Sequence, residues 1–150
     1  MRYTLAAVIL AVAATASVAQ DLPPPVAVAI AEAKKTCSPD PTTLKPGFIK
    51  RQDVNGDGVP DFILDYGRFQ CGDNITYWCG SAGCTMQIFA SSDGRFIKVL
   101  DENVQEVRFR KIGGRSAMLL GLHGSACGKA GVEPCGATLY WNGTKFSPAH

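Results

Sequence analysis

The chain has 150 residues, a formal charge of +2 and 46% apolar residues. That length sets one domain, large enough to bury a core and small enough to gain from cross-links. The near-neutral balance excludes the strongly basic surface of a nucleic-acid binder or of a protein held to anionic lipid by charge.

Residues 1–19 read MRYTLAAVILAVAATASVA. Arg2 gives a positive start, Leu5 to Ala14 is a short apolar run, and Ser17-Val18-Ala19 offers small residues where a signal peptidase cuts. This is the pattern of a secretory signal peptide cleaved after Ala19. The run falls short of the roughly 18 apolar residues of a membrane-spanning helix, and no later stretch could span a bilayer. The expected mature chain is residues 20–150, one β-rich domain in the periplasm or outside the cell, and losing Arg2 lowers the charge to +1.

Next comes PPPVAVAIAEAKKTC. Proline suits a first helical turn, Val26, Ile30 and Ala33 share a face at 3.6 spacing, and Lys34 and Lys35 favour a last turn. These features predict a short helix near 25–36, ended by the SPDP turn. Beyond it, strand signals dominate. GFIKRQ and DFILDYG flank an acidic loop. CTMQIFASSDGRFIKVL holds two apolar runs around Asp93-Gly94, and EVRFRKIGGRSAMLLGL repeats the plan around Gly113-Gly114. Asp-Gly and Gly-Gly between apolar runs are hairpin turns. Val107 and Phe109 alternate with Arg108 and Arg110, as in a half-buried strand, whereas Ala117 to Leu122 is apolar on both faces and reads as central. GATLYWNGTKFSP closes with a hairpin at Asn142-Gly143. The expected fold is mainly β, an antiparallel meander of about seven or eight strands with one N-terminal helix.

Six cysteines follow the leader: Cys37, Cys71, Cys79, Cys84, Cys127 and Cys135. An even number in an exported chain predicts three disulfides, and no C-x-x-C pair supports zinc or thioredoxin-type chemistry. Short closure favours Cys79 with Cys84 and Cys127 with Cys135, leaving Cys37 to Cys71. The competing arrangement joins Cys71 to Cys79 and Cys84 to Cys37.

Residues 53–61, DVNGDGVPD, place oxygen ligands at odd spacing: Asp53, Asn55, Asp57, the Val59 carbonyl and Asp61, with Gly56 and Gly58 permitting a tight reversal. Such a cage suits calcium. An EF-hand would also need a glutamate at its twelfth position, which here is Leu64. The competing reading is a metal-free turn, because Asp and Asn cap turns through nearby backbone. The stretch resembles the calcium loops of FG-GAP/VCBS repeats, D-x-[DN]-x-[DN]-G-x-x-D followed by an apolar strand. That resemblance implies one structural Ca²⁺ held by Asp53, Asn55, Asp57, Val59 and Asp61. It covers about 15 residues, the motif with its flanks, and a single copy implies no propeller.

Elsewhere the chemistry is sparse. His123, in GLHGSACG, is near Ser125 and Cys127, but G-x-S-x-G is absent, and a partly buried structural histidine is the favoured reading. Tyr77 and Trp78 lie in a cysteine-bounded stretch and read as cover for the core edge or as a contact surface. The expectation is an exported binding or structural protein, with an unidentified protein or glycan ligand. Two other classes stay open: an enzyme inhibitor presenting loop 79–84 or 127–135, and a small hydrolase using His123.

Overall fold

The computed structural model describes residues 22–149; the expected signal peptide, residues 1–19, lies outside them. Helix α1 spans Pro24–Cys37, with proline in its first turn and Lys34 and Lys35 in its last. It buries Val26, Ala29, Ile30, Ala33 and Cys37, a stripe at 3.6 spacing that faces one sheet.

Eleven strands follow: β1 (Thr42–Leu44), β2 (Ile49–Gln52), β3 (Asp61–Asp65), β4 (Phe69–Cys71), β5 (Cys79–Gly80), β6 (Gly83–Ser92), β7 (Arg95–Val104), β8 (Glu106–Ile112), β9 (Arg115–Leu122), β10 (Cys135–Trp141) and β11 (Phe146–Ser147). All pairings between them are antiparallel. Four strands, β1, β4, β5 and β11, have only two or three residues each. They account for the excess over the expected seven or eight, because pieces that short carry no periodicity. The strands also form more than a single meander. One sheet runs β2-β3-β6-β7, with β5 continuing the β3 edge of β6; a second runs β8-β9-β10-β11; β1 and β4 make a small ribbon.

The order of layers follows from strand β3. Phe62, Ile63 and Leu64 are all buried, so this strand has no solvent face. Phe62 and Leu64 point into a core shared with α1, Phe48, Tyr66, Phe69 and Phe89. Ile63 points the other way, into a core shared with Ile88, Ala90, Met118, Leu120 and Phe146. The result is helix, sheet, sheet. Phe62 opposes Phe89 and Ile63 opposes Ile88 across the ladder, so slipping by one residue would exchange the two cores. Each such side chain contributes about 1.5–3 kcal/mol by burial.

The hairpin turns lie where the sequence places them. Asp93 and Gly94 both have positive φ, as do Gly113 and Gly114, the backbone form that follows strand twist. Strand β9 lies between β8 and β10. Disulfides join Cys37 to Cys71, Cys79 to Cys84 and Cys127 to Cys135. The first ties the end of α1 to β4. Among the described residues no helix is long and apolar enough to cross a membrane.

The bridges close loops of very different length, with separations of 34 and 5 residues for the first two. Chain entropy then assigns about 4 kcal/mol to the first and about 2 kcal/mol to the second. Replacing Cys37 and Cys71 by serine is expected to lower the unfolding free energy in urea more than replacing Cys79 and Cys84. Equal losses would show that loop closure does not set their worth.

Candidate functional site

Loop 53–61 joins β2 to β3 and folds through hydrogen bonds from its own backbone to its side chains. Asp53 accepts the Gly56 N–H at 2.6 Å and the Gly58 N–H at 2.9 Å. Asn55 Oδ1 accepts the Asp57 N–H at 3.1 Å, and Asp57 Oδ1 accepts the Val59 N–H at 2.8 Å. Gly56 and Gly58 take φ of +85° and +86°, a region costly for other residues. Gly56 has a second role: a Cβ there would stand 2.5 Å from Ser116 Oγ, whereas one on Gly58 would meet open space. The loop therefore lies directly on hairpin β8–β9.

Asp61 opens β3 and is completely buried. Its Oδ2 accepts the Val54 N–H at 2.8 Å, and its Oδ1 accepts the Ser91 N–H at 2.8 Å. Asn55, also buried, donates through Nδ2 to the Ser91 carbonyl at 2.7 Å. Ser91, near the end of β6, is thus the residue on which the loop closes. Its Oγ lies 2.6 Å from Asp57 Oδ2 and 2.9 Å from Asp61 Oδ1. One hydroxyl carries one proton and can donate to one of these carboxylates only. Two carboxyl groups therefore converge on one hydroxyl, beside the Asn55 amide that also donates to Asp57 Oδ2 at 3.2 Å and the Ser91 N–H that donates to Asp61 Oδ1. Ser91 escaped the sequence reading, although it occupies the helix-facing position two residues after Phe89, where the period-2 pattern calls for an apolar side chain.

Asp57 has its pKa held below the usual 3.8. Desolvation pushes it up, but hydrogen bonds from Ser91, from the Val59 N–H and from Asn55 together outweigh that. Asp53 is turned to the glycine amides and Val59 is exposed. Among the described residues no three His, Cys, Asp or Glu side chains converge at metal-ligating spacing.

A second concave region lies at the other end of β6. An open cleft of about 710 Å³ is bordered by Thr85, Asp101, Glu102, Asn103, His123 and Ser125. Asp101 accepts from Gln87 Nε2 at 3.1 Å and pairs with Lys98, and Thr85 donates to Asn103 at 2.7 Å. His123 Nδ1 lies 2.8 Å from Ser125 Oγ. The other side of the imidazole packs on Gly131, where a Cβ would come within 2.4 Å of Nε2. The His123–Ser125 contact thus runs through Nδ1, and Nε2 faces Gly131. The ring spans the base of loop 127–135, and Cys127 is in a disulfide.

Trp78 packs on Tyr66 and Phe69, with centroids 5.0 and 5.9 Å away, and covers the helix-side core. Tyr77 beside it is exposed. Burial, with the charges of Asp101 and Glu32, pushes the Tyr66 hydroxyl up to about 12.

The fold and the loop together define a disulfide-stapled, three-layer β protein with an acidic turn closed by a distant serine. No known family, curated protein or solved structure matches the chain.

Two outcomes test the closed loop. Ser91→Ala is expected to cost about 1–3 kcal/mol, because it removes a donor shared by the buried Asp61 and the exposed Asp57, measured by urea unfolding. A carboxylate whose folded pKa is depressed stabilises the fold above its unfolded pKa and loses that contribution as pH falls through the folded value. Asp57 should therefore favour the fold above about pH 3.8, and Asp57→Asn should flatten the acid limb of a stability–pH curve below that point. An unchanged limb would show that Asp57 gains nothing on folding.

Proposed function

We propose that the chain is an exported binding protein, stapled by three disulfides and pinned at loop 53–61 by a structural calcium ion. The cleft beside β7 carries the binding reading: hydrogen-bonding side chains of β6, β7 and the segment after β9 border it together with Leu120 and Leu122 of the second sheet, and its volume lies within the roughly 300–1,000 Å³ typical of small-molecule sites. Three disulfides suit an oxidising compartment, which supports a periplasmic or secreted location.

The shared Ser91 hydroxyl supports the cation. Asp57 and Asp61 approach each other through it, and a divalent ion would relieve their repulsion. The oxygens of Asp53, Asn55, Asp57, Asp61 and the Val59 carbonyl would hold it. Asp53 and Asp57 are exposed, and a carboxylate has about four lone-pair sites, so both keep capacity beyond the amides they accept. Bound there, the ion would supply charge neutralisation and would fix the turn. Thr85 and Ser91 are six residues apart on β6, about 20 Å at 3.3 Å per residue, so a cation in the loop is structural with respect to the cleft.

One observation favours a second reading, the inhibitor. Val132, in the disulfide-bounded loop 127–135, is 97% exposed. The Glu133 N–H bonds the Ala130 carbonyl at 3.0 Å and the Lys129 N–H bonds the Gly124 carbonyl at 3.0 Å, so the apolar tip is presented on a braced turn. Val132→Asp should abolish capture of a partner under this reading. Under the cleft reading Ala126→Trp, which fills the exposed rim, should abolish it and Val132→Asp should not. Pull-downs from native periplasm with both variants separate the two.

Millimolar Ca²⁺ is expected to raise the melting temperature over chelator, and Mg²⁺ far less, since Mg²⁺ demands a near-ideal octahedron. For a dissociation constant in the range of about 10⁻⁵ to 10⁻³ M, free calcium at about 100 times that value stabilises by about 2.7 kcal/mol. Asp57→Ala should remove the calcium effect. Asp65→Ala should keep it, although Asp65 loses its pair with Lys50. Superimposable melting curves with and without calcium would leave loop 53–61 a metal-free turn.

His123→Ala should lower stability by about 1 kcal/mol and speed amide exchange in 124–135. An activity abolished by this change at unaltered stability would establish the hydrolase instead.

A further inference from the structure

The chain holds two Asn-Gly pairs, Asn55-Gly56 in the acidic loop and Asn142-Gly143 in the turn between β10 and β11. A glycine after asparagine leaves the next peptide nitrogen unshielded, and that nitrogen can attack the asparagine side chain. The bond from glycine nitrogen to Cγ forms and the Cγ–Nδ2 bond breaks. Ammonia leaves, carrying the proton lost by the glycine nitrogen, and a cyclic imide remains. Water then opens the imide at either carbonyl. One opening gives aspartate. The other gives isoaspartate, in which the main chain runs through the side-chain carbon.

The fold treats the two pairs differently. Asn55 is 6% exposed. Its Nδ2, the leaving group, donates to the Ser91 carbonyl at 2.7 Å and to Asp57 Oδ2 at 3.2 Å. The Gly56 N–H, which must give up its proton, donates to Asp53 Oδ1 at 2.6 Å, and a carboxylate beside it disfavours the amide anion. Asn142, by contrast, is exposed. Its Oδ1 accepts the Thr144 N–H at 3.1 Å, the Lys145 N–H at 3.0 Å and the Thr144 hydroxyl at 3.2 Å. Donors two and three residues further on fold the carboxamide back over the intervening peptide, whose nitrogen belongs to Gly143. The same three donors surround the oxygen on which charge develops as that nitrogen adds to Cγ. Among the described residues Asn142 Nδ2 donates to no group and the Gly143 N–H meets no acceptor. A Cβ at Gly143 would meet nothing within 4 Å, so water and base reach this nitrogen.

We propose that Asn142 is a site of spontaneous deamidation: in the folded protein it converts to aspartate and isoaspartate through the imide with Gly143, while Asn55 is protected. The consequence falls on β11. The Asn142 N–H donates to the Lys145 carbonyl at 3.0 Å, and Ser92 Oγ donates to the Gly143 carbonyl at 3.2 Å. Isoaspartate inserts a main-chain carbon between these anchors and breaks the turn. Phe146, buried against Trp141 in the core between the sheets, is then held only by a strand of two residues. Aspartate keeps the side-chain acceptor and leaves the turn in place.

The test incubates the disulfide-bonded mature chain in warm, mildly alkaline buffer with a chelator, so that the outcome does not depend on the calcium reading. Peptide mapping by mass spectrometry follows each Asn-Gly pair, and enzymatic methylation of isoaspartyl carboxyls counts the isomer. Asn142 should convert at least about tenfold faster than Asn55, whose two Nδ2 bonds must break first. In concentrated urea the two rates should converge, since glycine follows in both. Thr144→Ala, which removes one donor to Oδ1, should slow Asn142 severalfold and leave Asn55 unchanged. The isoaspartate form should exchange the Phe146 and Ser147 amides at least about tenfold faster than the Asn142→Asp protein. Equal rates at the two sites in the folded chain, or faster loss of Asn55, overturn the proposal. So does an intact Asn142 in the folded chain once the urea sample has converted. Unchanged exchange at β11 in the isoaspartate form would overturn the effect assigned to the turn.

Discussion

Phe62, Ile63 and Leu64 occupy a strand that has no solvent face, and the rest of the molecule is arranged around that condition. Three consecutive apolar residues in an extended chain must point alternately up and down. Each direction then needs its own cover. Helix α1 supplies one and the sheet of β8 to β11 supplies the other, so neither layer is optional. The residue that opens this strand is Asp61, a buried carboxyl. Its position fixes where the acidic loop meets β6, because both its oxygens are committed to the Val54 and Ser91 amides. A buried carboxyl is tolerable only when its oxygens find partners, and here each oxygen accepts a backbone N–H, from two different segments.

That arrangement gives β6 two jobs at its two ends. Near its end Ser91 closes the loop, and near its start Thr85 borders the open cleft. The strand is paired on both edges, by β3 and by β7, with a bulge in the β7 ladder at Ile88 and Phe89, so its backbone is hydrogen-bonded between the two regions. The Cys79–Cys84 bridge is at the cleft end, and Gly83 lies so close to β7 that a Cβ would collide with the Val104 carbonyl. A rigid element with a candidate ion site at one end and polar side chains at the other suits a protein that presents a preformed surface, since binding to a fixed cleft avoids the entropy of ordering it.

The sequence carried the local features best. The helix, the hairpins at Asp93-Gly94 and Gly113-Gly114, and the centrality of β9 all rest on signals within a dozen residues. The disulfide pairing favoured by short closure is the pairing found, since Cys79 and Cys84 face each other across β5 and β6. Layer order was not legible, because FIL reads the same whether the strand is covered by helices or by sheets. Strands β1 and β4 pair only with each other, and three residues offer no period to detect. Ser91 was invisible for a similar reason. Its partners lie thirty or more residues earlier, and an isolated serine before a turn has many uses. The cleft is assembled from β6, β7, β9 and the segment after β9, so no contiguous motif announces it.

Among the described residues β7 pairs with β6 alone, and ten residues of strand are then left with one edge open. Such an edge is a template on which a second copy of the chain could add. Here it carries Lys98, Asp101 and Glu102; a copy added in parallel register would bring like charges together, whereas an antiparallel copy could set Lys98 opposite Asp101 or Glu102. The open edge is therefore guarded by charge against one direction of pairing only, and antiparallel addition is the direction in which its charges would favour a second copy.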